Sequence, residues 1–192
     1  RHMARHATRA DVGFRVPDPE LEARLVTALA AVESQLDAAV KSSDDFVTEA
    51  SEHLVRAGGK RFRPLLVLLA SEYGDRSAPG VVPAAVVVEL THLATLYHDD
   101  VMDSAPRRRG AESANQRWGN SVAILTGDFL FARASDILAD LGPEAVRLQA
   151  RTFERLCVGQ IRATVGPSSG ENPVDHHLAV LADKTGSLIA TS

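Results

Sequence analysis

Apolar residues recur at steps of three and four along most of the chain, the spacing of one face of an α-helix. Leu21, Leu25, Leu29, Val32, Leu36 and Val40 trace one such stripe. Asp18-Pro19 supplies its start, an N-cap followed by proline at the first helical position. A second helix is predicted from about Phe46 to Ala57, ending at Gly58-Gly59. Pro64 opens a short helix over Leu65–Tyr73, and Gly74–Pro79 reads as a turn. A long apolar helix follows from Val81 to Asp103, then helical patterns near Val122–Leu138, Glu144–Thr164 and Val174–Ser192. Gly166–Pro173 is a loop, and no run alternates cleanly enough to be a strand. The pattern is that of an all-α protein.

Composition narrows the class. In 192 residues, 45% are hydrophobic and 24% charged, as in an ordinary globular domain. The formal charge of -4 argues against a general nucleic-acid binder. Cys157 is the only cysteine, which excludes an intrachain disulfide and fits the cytoplasm. Arg1-His2-Met3 reads as a tag remnant, residues 1–17 as a flexible N-terminus without a signal peptide's apolar core, and residues 18–192 as part of one domain. The most apolar run, Val81 to Tyr97, is interrupted by Pro83, Glu89 and His92, so a buried helix is expected there and no membrane span.

The clearest chemistry ends that helix. In His98-Asp99-Asp100-Val101-Met102-Asp103, Asp99 and Asp103 stand about one turn apart on one face, with Asp100 beside them. Like charges at this spacing repel unless a cation sits between them. All-oxygen ligands suit magnesium, which favours few carboxylates plus substrate phosphates. A solvated acidic helix end is the other reading; the apolar helix before it favours a pocket.

Two basic clusters accompany the aspartates. Arg107-Arg108-Arg109-Gly110 follows on a loop, where guanidinium groups grip phosphate oxygens bidentately. Gly58-Gly59-Lys60-Arg61-Phe62-Arg63-Pro64 opens a helix whose N-terminus also favours anions, with Lys60 and Arg63 as contacts and Phe62 drawn to the core. His92 lies seven residues before Asp99 on the same face, whereas His98 points elsewhere and is expected to be structural. Glu89-x-x-His92 matches half of a di-iron motif, but the second half is missing from the sequence.

These residues, in this order, resemble the trans-isoprenyl diphosphate synthase (polyprenyl synthetase) family, its long-chain members in particular. The resemblance rests on the Gly58–Pro64 run, Glu89-Leu90-Thr91-His92, the aspartate motif, Arg108-Arg109-Gly110, Gly127-Asp128-Phe129-Leu130, Gly159-Gln160 and Lys184-Thr185. It implies an isoprenoid-synthase-type helical bundle with a central cavity. It further implies that Asp99, Asp100 and Asp103 hold Mg2+, that Arg108, Lys184, Thr185 and Gln160 bind the allylic diphosphate, and that Lys60, Arg63, His92 and Arg109 bind isopentenyl diphosphate. Lys184 and the three aspartates are then the catalytic set. Farnesyl or geranylgeranyl diphosphate is an expected partner, and a homodimer the expected assembly. Ala94, Thr91 and Val88, none of them large and aromatic, imply a tail channel and a product longer than farnesyl. Ala163 stands where the family carries an acidic residue. The second aspartate-rich motif should follow Lys184-Thr185 by several turns, so the C-terminal part of the bundle is expected to be missing from this chain. A terpene cyclase would not need the Lys60/Arg63/His92 site, and a regulatory subunit would lose the aspartates that are kept here.

Overall fold

The computed structural model describes residues 16–192; the expected tag remnant and most of the expected flexible tail lie outside them. Helix α1, Pro19–Ala39, starts where Asp18 accepts from the Glu20 and Leu21 amides, and buries Leu25, Leu29, Val32 and Leu36. Val16, expected in the tail, packs into the same core. Helix α2, Asp45–Arg56, is capped the same way by Asp44.

Helix α3, Phe62–Ser71, begins three residues earlier than expected. Its first-turn amides have no intrahelical acceptor, so Pro64 fits inside the first turn instead of having to open the helix. Arg61 before it adopts a left-handed backbone, φ 47°. That resets the helical phase. Phe62, expected in the core, is 50% exposed, and Arg61 takes the inward position.

Helix α4, Val81–Met102, is the central column and packs against α1, α3 and α6 (Asn120–Leu141). By length and composition alone it is apolar enough to cross a membrane. Ala85, Val86, Val87 and Val88, successive residues about 100° apart around the axis, are all buried, as expected of a core helix apolar on all sides. The Tyr97 hydroxyl donates to Ala50 O at 2.6 Å and accepts the Leu54 amide at 3.2 Å, which fixes α2 against the column. Gly127 lets α6 approach: a Cβ there would stand 3.1 Å from Ala94 O and 2.4 Å from His98 Nε2.

After α4 the expected loop is a small antiparallel hairpin, β1 (Arg107–Arg108) and β2 (Ala111–Glu112). Arg109 (φ 52°) and Gly110 (φ 81°) form its two-residue turn, both left-handed, as such hairpins require. Helix α5, Ala114–Trp118, follows; five residues were too few to leave a periodic signal. Its Trp118 packs edge-on against His53 (5.0 Å) and Phe46 (6.1 Å) of α2, and Arg117 lies over the indole at 4.5 Å. His53 Nε2 donates to Glu112 O at 2.6 Å, so this aromatic cluster ties the hairpin to α2.

Helix α7 spans Pro143–Val165 and α8 Pro173–Leu181. The final pattern is not one helix: a π-helical turn, Ala182–Gly186, separates α8 from α9, Ser187–Thr191. Val88, Leu156 and Leu188 form a second, smaller core that joins α4, α7 and α9.

Candidate active site

Asp99, Asp100 and Asp103 occupy the last turn of α4, and they do not converge. Asp100 is fully buried and is taken by Arg108, whose Nε donates to its Oδ1 at 2.7 Å. Among the described residues no three His, Cys, Asp or Glu side chains come close enough to cage an ion. The expected three-carboxylate cluster is therefore not preformed, because the hairpin arginine captures its middle member. Asp103 is exposed, Asp99 is half-buried, and Asp100 Oδ2 is buried without a partner. Burial first, and then the Asp103 and Asp100 charges, raises the Asp99 carboxyl, while Lys184 and Arg108 pull it back. An all-oxygen set with one orphaned carboxylate oxygen fits a hard divalent cation that keeps some of its waters.

Asp99 borders a cavity of about 290 Å3 between α4 and α7, and Gln160 and Lys184 border it too. Lys184 gets there through the π turn, a one-residue bulge of the kind found at functional sites. Gly159 makes room for it, and Arg155 anchors it by donating to Asp183 at 3.0 Å. Gln160 Oε1 is buried without a partner. Thr185 is exposed and does not border this cavity.

On the far side of Arg108 the hairpin turn delivers Arg109 to a second cluster. Its guanidinium lies against Gly59, where a Cβ would come within 2.8 Å of it, and donates to Leu54 O at 3.2 Å and to Gly58 O. Arg63 joins it; its Nε is buried without a partner. Burial holds both guanidinium groups below their usual pKa, opposed by Glu89. His92 is pushed down to about 3, by burial first and then by Arg63, Arg109, Arg108 and Arg61, so its imidazole is neutral. Lys60 stands exposed at the rim. His92 thus lies among the arginines with which the resemblance grouped it, two turns before Asp99 on α4.

Three residues in this cluster, Glu33, Arg61 and Glu89, were given no role by the sequence reading. Arg61, 9% exposed, donates to Glu33 at 2.5 Å and to Glu89 at 3.1 Å, and Arg109 stands 3.9 Å from the same Glu89 oxygen. The one available signal was a glutamate inside α4's apolar run.

Ala94, Thr91 and Val88 do not border the cavity beneath Asp99. Ala94 is packed against α6 at Gly127, Thr91 accepts from Gln149 at 2.5 Å, and Val88 is sealed by Leu156 and Leu188. Thr95, one turn below Asp99, is the α4 residue on the wall. A second, apolar cavity of about 420 Å3 opens between α6 and α7, lined by Leu138, Val146 and Ala150 among others. The two cavities share His98 and Phe153, and Phe131 stacks on Phe153 at 4.4 Å. His98 Nε2, 3.0 Å from Ile124 O and 3.3 Å from Asp128, braces α4 on α6, in line with its expected structural place.

Residues 44–192 match the polyprenyl synthetase family model. The chain is 47% identical over 181 residues to nonaprenyl diphosphate synthase of Mycobacterium tuberculosis, covering 94% of this chain and 54% of that protein. It is 42% identical over 165 residues to heptaprenyl diphosphate synthase component 2 of Geobacillus stearothermophilus, covering 85% and 52%. Among solved structures, geranylgeranyl pyrophosphate synthase from Corynebacterium glutamicum, complexed with calcium and isoprenyl diphosphate, superposes with TM-score 0.82 at 51% identity, covering 93% of this chain and 55% of that one. The chain spans about half the length of the relatives it matches. A central apolar column ending in aspartates, flanked by two guanidinium clusters, and a family match over most of the sequence lead to one conclusion: this chain belongs to the polyprenyl synthetase family.

Proposed function

We propose that the chain carries the diphosphate-binding half of a polyprenyl diphosphate synthase, which joins isopentenyl diphosphate to an allylic diphosphate such as farnesyl or geranylgeranyl diphosphate with Mg2+. The observation that carries this reading is Arg63. Its Nε is buried and unpartnered, in a cluster where burial depresses two guanidinium groups and an imidazole at once. Surplus buried positive charge is costly unless an anion completes it. A diphosphate provides both the charge and the acceptor oxygens.

In this reading Lys60, Arg63, Arg109 and the neutral His92 hold isopentenyl diphosphate, and His92 contributes an N–H donor instead of a charge. Lys184, Gln160 and Arg108 hold the allylic diphosphate above Asp99. A magnesium ion held by Asp99 and Asp103, with the free Asp100 oxygen, would supply charge neutralisation to a departing diphosphate. The apolar walls at Phe153 and Leu156 keep water from the reacting carbon. In this reading a product longer than farnesyl extends past Phe153 into the larger cavity, instead of along Ala94, Thr91 and Val88, which do not line the cavity beneath Asp99. A subunit of a heteromeric synthase is the second reading, favoured by the relative named component 2.

The test is incubation with labelled isopentenyl diphosphate, an allylic diphosphate and magnesium, with products sized by chromatography, alongside calorimetry of both diphosphates. Polyprenyl product supports the synthase. Binding without product supports the subunit reading, and absence of both overturns the proposal.

A further inference from the structure

Glu89 occupies an unusual place for a carboxylate. It sits mid-helix in α4, 2% exposed, against the arginine cluster that the proposed function assigns to an anion. A negative charge there opposes the binding of a diphosphate by simple Coulomb repulsion. The same oxygen, Oε1, nevertheless faces two guanidinium groups, Arg61 Nη1 at 3.1 Å and Arg109 Nη2 at 3.9 Å.

The two arginines approach from different segments, and both leave ordinary backbone geometry to do so. Arg61 (φ 47°) ends the Gly58-Gly59 connection and Arg109 (φ 52°) forms the hairpin turn. Left-handed backbone in a non-glycine residue is a strained state that persists only where its surroundings over-determine it. Arg61 is over-determined. Its Nε and Nη2 donate to Glu33 on α1 at 2.5 and 3.1 Å, and Nη2 also donates to Val55 O at 3.2 Å. With four of its five N–H donors used inside the protein and only 9% of the residue exposed, Arg61 is committed to holding the fold. Arg109 is held less completely, by two backbone carbonyls on one nitrogen and by Glu89 on the other.

We infer that Glu89 is a positioning residue for the isopentenyl diphosphate site: through Arg61 it locks the Gly58–Arg63 connection, and through Arg109 it seats the hairpin turn, so that Arg63 and Arg109 face one ligand. This rests on the anion-site reading above. Arg61 is then the neutralising partner that makes a buried carboxylate tolerable beside an anion site, and Glu33 tethers the assembly to α1.

The sign of the effect separates positioning from electrostatics. Glu89→Gln removes a negative charge beside the arginine cluster, so field effects alone make anion binding tighter. Loss of positioning makes it weaker. Inorganic pyrophosphate is titrated calorimetrically into the full chain in EDTA, which silences any metal-dependent binding at the aspartates. The expected result is an affinity about tenfold weaker in Glu89→Gln, the size seen when groups that orient a ligand-binding side chain are removed. Arg61→Lys covers the case in which Glu89→Gln fails to fold. It keeps the charge and loses the fork, so electrostatics predicts no change and positioning predicts the same weakening. Equal or tighter binding in a folded variant, or a lowered melting temperature with unchanged affinity, overturns the inference alone. A wild-type chain that ignores pyrophosphate overturns the anion-site reading and this inference with it.

Discussion

Gly159 of α7 lies directly against the backbone of Lys184: a Cβ on Gly159 would stand 2.7 Å from the Lys184 nitrogen and 2.9 Å from Asp183 Cβ. The neighbours it would strike are backbone and Cβ atoms, which cannot swing aside. Alanine favours a helix over glycine by about 1 kcal/mol. Overpacking costs on the order of 1–3 kcal/mol. Gly159→Ala is therefore expected to lower the melting temperature, despite the helix preference, and to weaken allylic diphosphate binding by displacing Lys184. An unchanged or higher melting temperature would count against the close contact.

Arg63 sets stability against binding. Its buried Nε has no partner and its charge adds to that of Arg109. Arg63→Gln should raise the melting temperature of the free protein while weakening metal-free pyrophosphate binding by roughly tenfold or more, the worth of a charged hydrogen bond. Thermal unfolding and calorimetry on the same sample read both signs; a fall in both would point to an ordinary structural residue.

Asp99 divides the metal-dependent part from the rest. In Asp99→Ala, the increment that magnesium adds to pyrophosphate affinity should vanish, and turnover of allylic diphosphate with it. Metal-free binding at Arg63 and Arg109 should persist. A magnesium increment of wild-type size in this variant would remove Asp99 from the metal site.

His92 gives the fold a pH dependence. Its folded-state pKa is lowered from 6.5 to about 3, by burial and by the surrounding arginines. The unfolded chain therefore binds the proton first. Stability due to the neutral imidazole is complete above pH 6.5 and declines as pH falls from there toward 3, by at most about 1.4 kcal/mol per pH unit. Urea unfolding at several pH values should show that slope in the wild type and a flatter one in His92→Gln. Parallel slopes would place the titration elsewhere.

Product length should respond to Phe153 and not to Ala94. Phe153→Ala would join the two cavities and raise the affinity for long-tailed over short-tailed allylic diphosphates. Ala94→Phe would instead force a ring into the α4–α6 contact and lower stability, by on the order of 1–3 kcal/mol. A stable Ala94→Phe protein that makes shorter products would restore the route down α4.

The helical phase explains much of what was and was not legible in the sequence. The α1 stripe and the α4 column follow from periodicity because α1 buries one continuous face and α4 buries residues on every side. The wall beneath Asp99 follows from the same arithmetic: Thr95 is about 40° around the helix from Asp99 and Ala94 about 140°. Phe62 was misplaced because one left-handed residue, Arg61, rotates the start of α3, and no local pattern announces it. The Glu33–Arg61–Glu89 chain joins three segments far apart in sequence, so spacing carried no trace of it. Likewise the π turn depends on a glycine in a different helix.

The aromatic cluster behind the hairpin has an optical consequence. Trp118 is the only tryptophan of the chain, and it sits edge-on to His53, whose ring holds Glu112 on the hairpin that carries Arg108 and Arg109. Any shift of that hairpin changes what surrounds a single indole, so its emission can be read without a label. The protein carries its own fluorescent gauge, mounted on the back of the segment proposed to grip the anion.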